Sequence, residues 1–239
     1  MTTNSHGSLE ARLLLERVII TIKNAETLVF DARNLHTTGV VPRLYGQLNL
    51  PVPVTQERFY CWNSAETSYV RVESACAVRE MSMTTLFIKN RDGIWHVLPQ
   101  CAAEISGIFA HDRLLGTFPF FRLFSTLEYP YDLSVNESDC GTEQVVVKGL
   151  LTAKPLHRQE DIASDFSYRL DTKSRRLFAL DERTFGGRSL HLEFDRWSIN
   201  EPIDHKLFDI PAKFRVKMSS MSQYMDLKQQ YYGNRFMEQ

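Results

Sequence analysis

The chain has 239 residues, 43% of them hydrophobic and 24% charged, with a formal net charge of −1 at pH 7, which is ordinary for a soluble globular protein. So balanced a charge argues against a generic nucleic-acid or anionic-membrane binder with an overall excess of Lys and Arg, and leaves room for local basic patches. No stretch approaches the roughly 18 uninterrupted apolar residues of a membrane span; even LEARLLLERVIITIKNAETL is broken by Glu10, Arg12, Glu16, Arg17 and Lys23 and reads as neither a spanning helix nor an export signal.

The first predicted element is a helix. Ala11, Leu14, Leu15, Val18, Ile22 and Ala25 recur at three- and four-residue steps, and Ser8 is placed to cap it. At Thr27 the period falls to two, so Leu28, Phe30 and Ala32 share one face of a strand. Strand signals dominate from there to residue 105: RLYGQLNL, RFYCW and SYVRVES, punctuated by Pro51, Pro53 and Asn63-Ser64-Ala65. TLFIKNRDGIWHVLP reads as a hairpin in which Asp92-Gly93 supplies the positive φ angles of a tight turn. The segment IFAHDRLLGTFPFFRLFS then concentrates Phe109, Leu114, Leu115, Phe118, Phe120, Phe121, Leu123 and Phe124, more apolar surface than one helix face holds. It predicts a short helix interrupted near Gly116 and Pro119. Further strands follow in EQVVVKGLLTAKP, SDFSYRLD, RRLFALDE and LHLEFDRWSIN, with turns at Asp171 to Ser174 and at Gly186-Gly187.

The last of these strands changes its apolar side. Leu190, Leu192 and Phe194 point one way, and after Arg196 the apolar residues are Trp197 and Ile199. A bulge or twist at the rim of a curved sheet does this, and so does a strand that leaves the sheet to pack Trp197 elsewhere. Pro202 belongs at the strand's end. The tail carries Met221, Tyr224, Met225 and Tyr231 at roughly helical spacing. With no internal repeat, linker or charge block, the expected organisation is one domain over residues 1–218 and a helical or flexible tail over 219–239. So many half-apolar strands imply one strongly curved antiparallel sheet or an open barrel, mainly β with helices covering one face. Cys61, Cys76, Cys101 and Cys140 form no CxxC and leave both paired and unpaired states open.

The order of elements resembles the bacterial lipoprotein-localisation-factor (LolA/LolB-like) superfamily of outer-membrane lipoprotein carriers. The residues that carry the resemblance are the helix-to-strand entry, KNRDGIWHVLP, GTFPFF with Thr117, Pro119 and Phe120, and the closing pattern of Asn200, Pro202, Ile203, Asp204, Phe208 and Pro211. The resemblance implies an unclosed half-barrel whose hydrophobic cavity lies under a helical lid. It implies an acyl-chain site with Phe109, Leu115, Phe118, Phe120, Phe121, Leu123 and Phe124 on the lid and Phe30, Trp62, Trp95, Phe194 and Trp197 on the cavity wall. An arginine that ties the lid shut is assigned to Arg58, with Arg71 as the other candidate. Expected partners are lipid or lipoprotein acyl chains and another envelope protein, and the expected location is the bacterial periplasm or cell envelope.

Catalytic motifs are absent: no GxSxG, P-loop, GxGxxG or HExxH occurs. His191 and His205 lack the spacing and companions of a metal site. Asp161, Asp165, Asp171, Asp181 and Glu182 could supply a carboxylate pair but read as turn residues and solvated faces. The expectation is therefore a monomeric, non-enzymatic carrier without cofactor, metal or nucleic acid. Its alternative is an envelope interaction or sensor module on the same fold with a filled interior.

Overall fold

The computed structural model describes residues 5–35, 54–78, 81–106, 120–137, 143–152, 162–184 and 189–232. Helix α1 (Ser5–Lys23) starts a turn before Ser8, and its buried stripe of Ala11, Leu14, Leu15, Val18, Ile19 and Ile22 follows the helical period of the sequence. Strands β1 (Thr27–Leu35), β2 (Val54–Asn63), β3 (Ser68–Val78), β4 (Met81–Asn90), β5 (Gly93–Val97) and β6 (Ala102–Glu104) come next. Helix α2 (Phe120–Thr126) separates them from β7 (Tyr131–Glu137), β8 (Gln144–Leu151), β9 (Ala163–Asp171), β10 (Leu177–Thr184) and β11 (Ser189–Ile199). Two 3-10 turns, a short β12 (Arg215–Lys217) and helix α3 (Met221–Tyr232) complete the chain.

All these strands form one sheet in the order β12-β6-β5-β4-β3-β2-β1-β11-β10-β9-β8-β7. Its margins, β12 and β7, do not pair with each other among the described residues, so the sheet is an unclosed half-barrel. Every pairing is antiparallel except that of β12 with β6, which is parallel. The sheet is therefore mixed at one margin, because the chain reaches β12 by a long crossing and not by a hairpin.

Alternation sorts the side chains onto two faces. Phe30, Phe59, Val72, Phe87, His96 and Ala103 lie opposite one another across β1 to β6 and face inward. Under α1 and α2, Phe30, Phe59 and Val72 join Val147, Tyr168, Leu180, Leu192 and Phe194 in the main core. Under α3, Ile94, Leu98, Cys101, Ala103 and Ile105 pack with Tyr224. Phe87 touches both groups and makes the inner face continuous.

The change of side in β11 is a bulge. Phe30 faces Trp197 and Asp31 faces Arg196, but Ala32 faces Phe194, which leaves Asp195 as the extra residue. One inserted residue lets Phe194 and Trp197, three positions apart, share the inner face. Arg33 pairs with both Glu193, at 2.6 Å, and the bulged Asp195, at 3.1 Å.

At the end of β11 the chain turns onto the outer face. Asn200 adopts a left-handed φ of 58°, a conformation its short polar side chain tolerates. Its Oδ1 accepts from the Glu26 N–H at 2.8 Å, and its own N–H donates to the Thr27 carbonyl at 2.8 Å. Asp204 caps the first 3-10 turn by accepting from the Lys206 N–H. Phe208 and Ile210 are then buried in a second core with Ile88, Trp95 and Ala102, against which Trp62 and Tyr69 pack. Arg71 Nη1 and Asn90 Nδ2 hold this crossing by donating to the carbonyls of Leu207 and Phe208. The closing pattern of polar and apolar residues is thus a strand stop followed by an outer-face anchor.

Two turns carry unusual backbone angles. In the β4–β5 hairpin Gly93 has φ 151°, while Asp92 is not among the described residues with positive φ, so the glycine alone supplies the unusual backbone angle. After β9, Asp171 Oδ1 accepts from the N–H groups of Lys173 and Ser174, and Arg175 takes φ 58°. The RLYGQLNL strand and the Gly186-Gly187 turn lie outside the described residues.

Candidate functional site

The connection from β6 to β7 joins strands near opposite margins of the sheet, and its described end, α2, lies over the inner face. The ring of Phe120, the first residue of α2, lies 4.8 Å from Phe30, 5.8 Å from Phe194 and 5.5 Å from Trp197. Phe30 in turn stacks on Phe59 at 4.5 Å. Phe120 and Leu123 are fully buried, and Phe124 packs against the same cluster partly exposed. Burying a Phe or Leu side chain contributes about 1.5–3 kcal/mol. A helix of seven residues has no independent stability in water, so these ring contacts hold it in place.

A polar chain fixes its other end. Thr126 Oγ1 lies 3.1 Å from Tyr168 Oη, which donates to Glu182 Oε1 at 2.7 Å, all three groups being buried. Burial, followed by the nearby Glu182 charge, pushes the Tyr168 phenol well above its usual range. Lys23 Nζ of α1 sits 5.0 Å over the Phe124 ring. Trp197 Nε1 is buried and has no hydrogen-bond partner among the described residues, a state that costs about 1–3 kcal/mol. Further along the inner face, Glu57 lies in register with Ala32 and Ser74, and burial pushes its carboxyl up to about 7 against a hydrogen bond with Ser74.

The structure therefore brings together Phe30, Phe194, Trp197, Phe120, Leu123 and Phe124. Phe121 lies in α2, and Phe109, Leu115 and Phe118 lie outside the described residues. Trp62 and Trp95 do not join this group: strand parity turns them outward, where Trp62 stacks between Tyr69, at 4.4 Å, and His205, at 3.8 Å. Arg58 also points outward, making two bonds of 2.6 and 2.7 Å with the Asp31 carboxylate. Among the described residues the polar groups tied to α2 are Tyr168, which bonds Thr126, and through it Glu182. Their signal was present in the sequence, since Glu182 shares strand parity with Leu180 and is a charge at an inward position.

The carboxylates considered for catalysis are scattered. Asp165 and Asp181 line an outer-face groove of about 530 Å³ with Asp132, Lys148 and Arg183; Asp181 pairs with His191, Asp171 caps its turn, and Asp161 is outside the described residues. Among the described residues no three His, Cys, Asp or Glu side chains are grouped to hold a metal ion. Cys61 and Cys101 are buried free thiols. No described helix is long and apolar enough to cross a membrane.

No protein-family model and no curated protein sequence matches the chain. Solved structures do. The crystal structure of MucB aligns at a TM-score of 0.50 and 12% identity over 88% of this chain and 66% of that one, so the chain spans just under two thirds of MucB's length. A putative outer membrane lipoprotein-sorting protein domain from Vibrio parahaemolyticus aligns at a TM-score of 0.35 and 9% identity over 83% and 97% of the two chains. The LolA superfamily protein NE2245 from Nitrosomonas europaea aligns at 0.30 and 7% over 84% and 97%. With its single open sheet, the chain shares its fold with the MucB crystal structure.

Proposed function

We propose that this chain is a non-enzymatic carrier or binding protein of the bacterial cell envelope, which takes an acyl chain of a lipid or lipoprotein onto the inner face of its half-barrel. The observation that carries the reading is Phe120. A helix too short to stand alone covers an aromatic floor and is held there chiefly by its own apolar side chains. A ligand that replaces α2 gains the same floor, and each methylene removed from water contributes about 0.8 kcal/mol. Its ester or amide carbonyl also gives Trp197 Nε1 the acceptor that the described residues lack. Reversible carriage requires cover and ligand to compete within a few kcal/mol, so that a partner offering a better cavity receives the chain. The sequence's resemblance to lipoprotein carriers supports this reading by analogy.

The competition is testable with a fluorescent fatty-acyl probe. Phe120→Ala removes the cover's main inward contact, so apparent affinity for the probe should rise about tenfold or more, since weakening the covered state by 1.4 kcal/mol already gives that factor. Phe124→Ala, at a partly exposed position, gives a smaller rise if the first variant does not fold. Affinity unchanged or lowered in both folded variants would refute α2 as a displaceable cover.

A second reading is favoured by the same burial. Phe120 and Leu123 already fill the inner face above β1 and β11, as in an interaction module that binds another envelope protein with its interior closed. Absence of any hydrophobic-probe uptake, in the wild type and in Phe120→Ala, would replace the first reading with this one.

A further inference from the structure

The C-terminal unit from Ala212 to Tyr232 departs from the near-neutral balance of the whole chain. It contains Lys213, Arg215, Lys217 and Lys228 against a single acidic residue, Asp226. Arg215 is committed to Asp92 at 2.6 Å, while Lys213 and Lys217 are exposed. The same unit holds four of the large apolar side chains left open to solvent: Phe214 at 41%, Val216 at 36%, Met221 at 40% and Met225 at 47% exposure. Strand parity and helix period place them at the β12 margin and on α3. Val216 stands opposite Ala103 on the inner face that α3 covers, at the free margin of the sheet. Tyr224 turns α3 inward by meeting His96 at 2.8 Å, so Met221 and Met225, one turn apart, share the helix's exposed side. Lys213 Nζ lies 5.1 Å over the Phe214 ring.

We propose that this unit docks the protein on an anionic phospholipid surface, with Phe214, Val216, Met221 and Met225 entering the headgroup boundary and Lys213 and Lys217 meeting lipid phosphates. Interfacial helices pair this kind of apolar ridge with flanking cations, and each Lys near an anionic leaflet contributes enough to change partitioning about fivefold. Charge decides between this face and the other exposed apolar ridge, Leu9, Leu13 and Ile20 on α1. There the neighbouring cations Arg12 and Arg17 are offset by Glu10 and Glu16, and Arg12 is paired with Glu16 at 3.1 Å. The proposal stands apart from acyl-chain carriage, since it uses the β12 margin of the sheet and not the mid-sheet floor under Phe120.

Co-sedimentation of the full chain with vesicles of equimolar phosphatidylglycerol and phosphatidylcholine, against vesicles of phosphatidylcholine alone, tests it. Expected are selective binding to the anionic vesicles, a loss of about fivefold for each of Lys213→Ala and Lys217→Ala, and a comparable loss for Met225→Ser. Leu13→Ser, on the other exposed ridge, should leave vesicle binding unchanged. All four substituted side chains are exposed, so the fold is retained. Equal binding to both vesicles, indifference to the lysine changes, or a solution dimer that Met225→Ser disperses would overturn the proposal, the last by showing that a second copy covers the ridge.

Discussion

His96 shows how one buried side chain gives the fold a dependence on pH. It lies between Phe87, stacked at 4.6 Å, and the Tyr224 hydroxyl of α3. Burial, reinforced by the Lys228 charge, pushes its imidazole down from 6.5 to about 4. The unfolded chain therefore takes up a proton that the folded one refuses, and stability present above pH 6.5 is lost as pH falls toward about 4. The difference amounts to about 3 kcal/mol at 1.36 kcal/mol per pH unit. Glu57 acts in the opposite sense, because its carboxyl, raised from 4.5 to about 7 by burial, favours folding while protonated and loses that contribution as pH rises through this range. A comparison with His96→Gln isolates the histidine. Urea unfolding should show wild type losing about 3 kcal/mol relative to the variant between neutral pH and pH 4, and parallel pH profiles would contradict the assignment.

At the scale of elements, packing between neighbouring strands leaves little tolerance. An ideal Cβ on Gly149 of β8 would stand 2.2 Å from Cε1 of Phe166 on β9, and Phe166 is itself stacked at 4.3 Å on Tyr168. Gly149→Ala should therefore cost about 1–3 kcal/mol as overpacking, read as a lower urea midpoint with an unchanged slope; a neutral result would mean that the Phe166 ring moves freely. Much of each element was legible in sequence. Period-two runs located β1, β2, β9 and β10, and the helical stripe located α1, because a half-buried element writes its burial into its own pattern. The side change in β11 was equally visible, but two structures satisfied it, and only the register with β1 shows Asp195 as the inserted residue. Trp62 and Trp95 were harder to place. Each is a large apolar residue in a strand, and parity assigns a face only once the other face is known to be covered. Here the 200–211 crossing covers it.

For the whole molecule the connectivity explains the site. β1 sits mid-sheet between β2 and β11 while β6 and β7 lie near opposite margins, and α2, at the end of the segment that joins β6 to β7, lies over the inner face of β1 and β11. An aromatic sequence there becomes a cover. The curved sheet and its two expected helical covers could be read from the sequence, but the partner of Glu182 and the outward turn of Arg58 could not, since both depend on strand order. Acyl-chain binding is decided by the mass of the native protein. Expressed with an export signal, so that envelope lipids are available, the chain should carry under gentle ionisation an excess mass of lipid size that is lost on denaturation. Native and denatured masses that agree, together with no uptake of a fatty-acyl probe, would contradict acyl-chain binding.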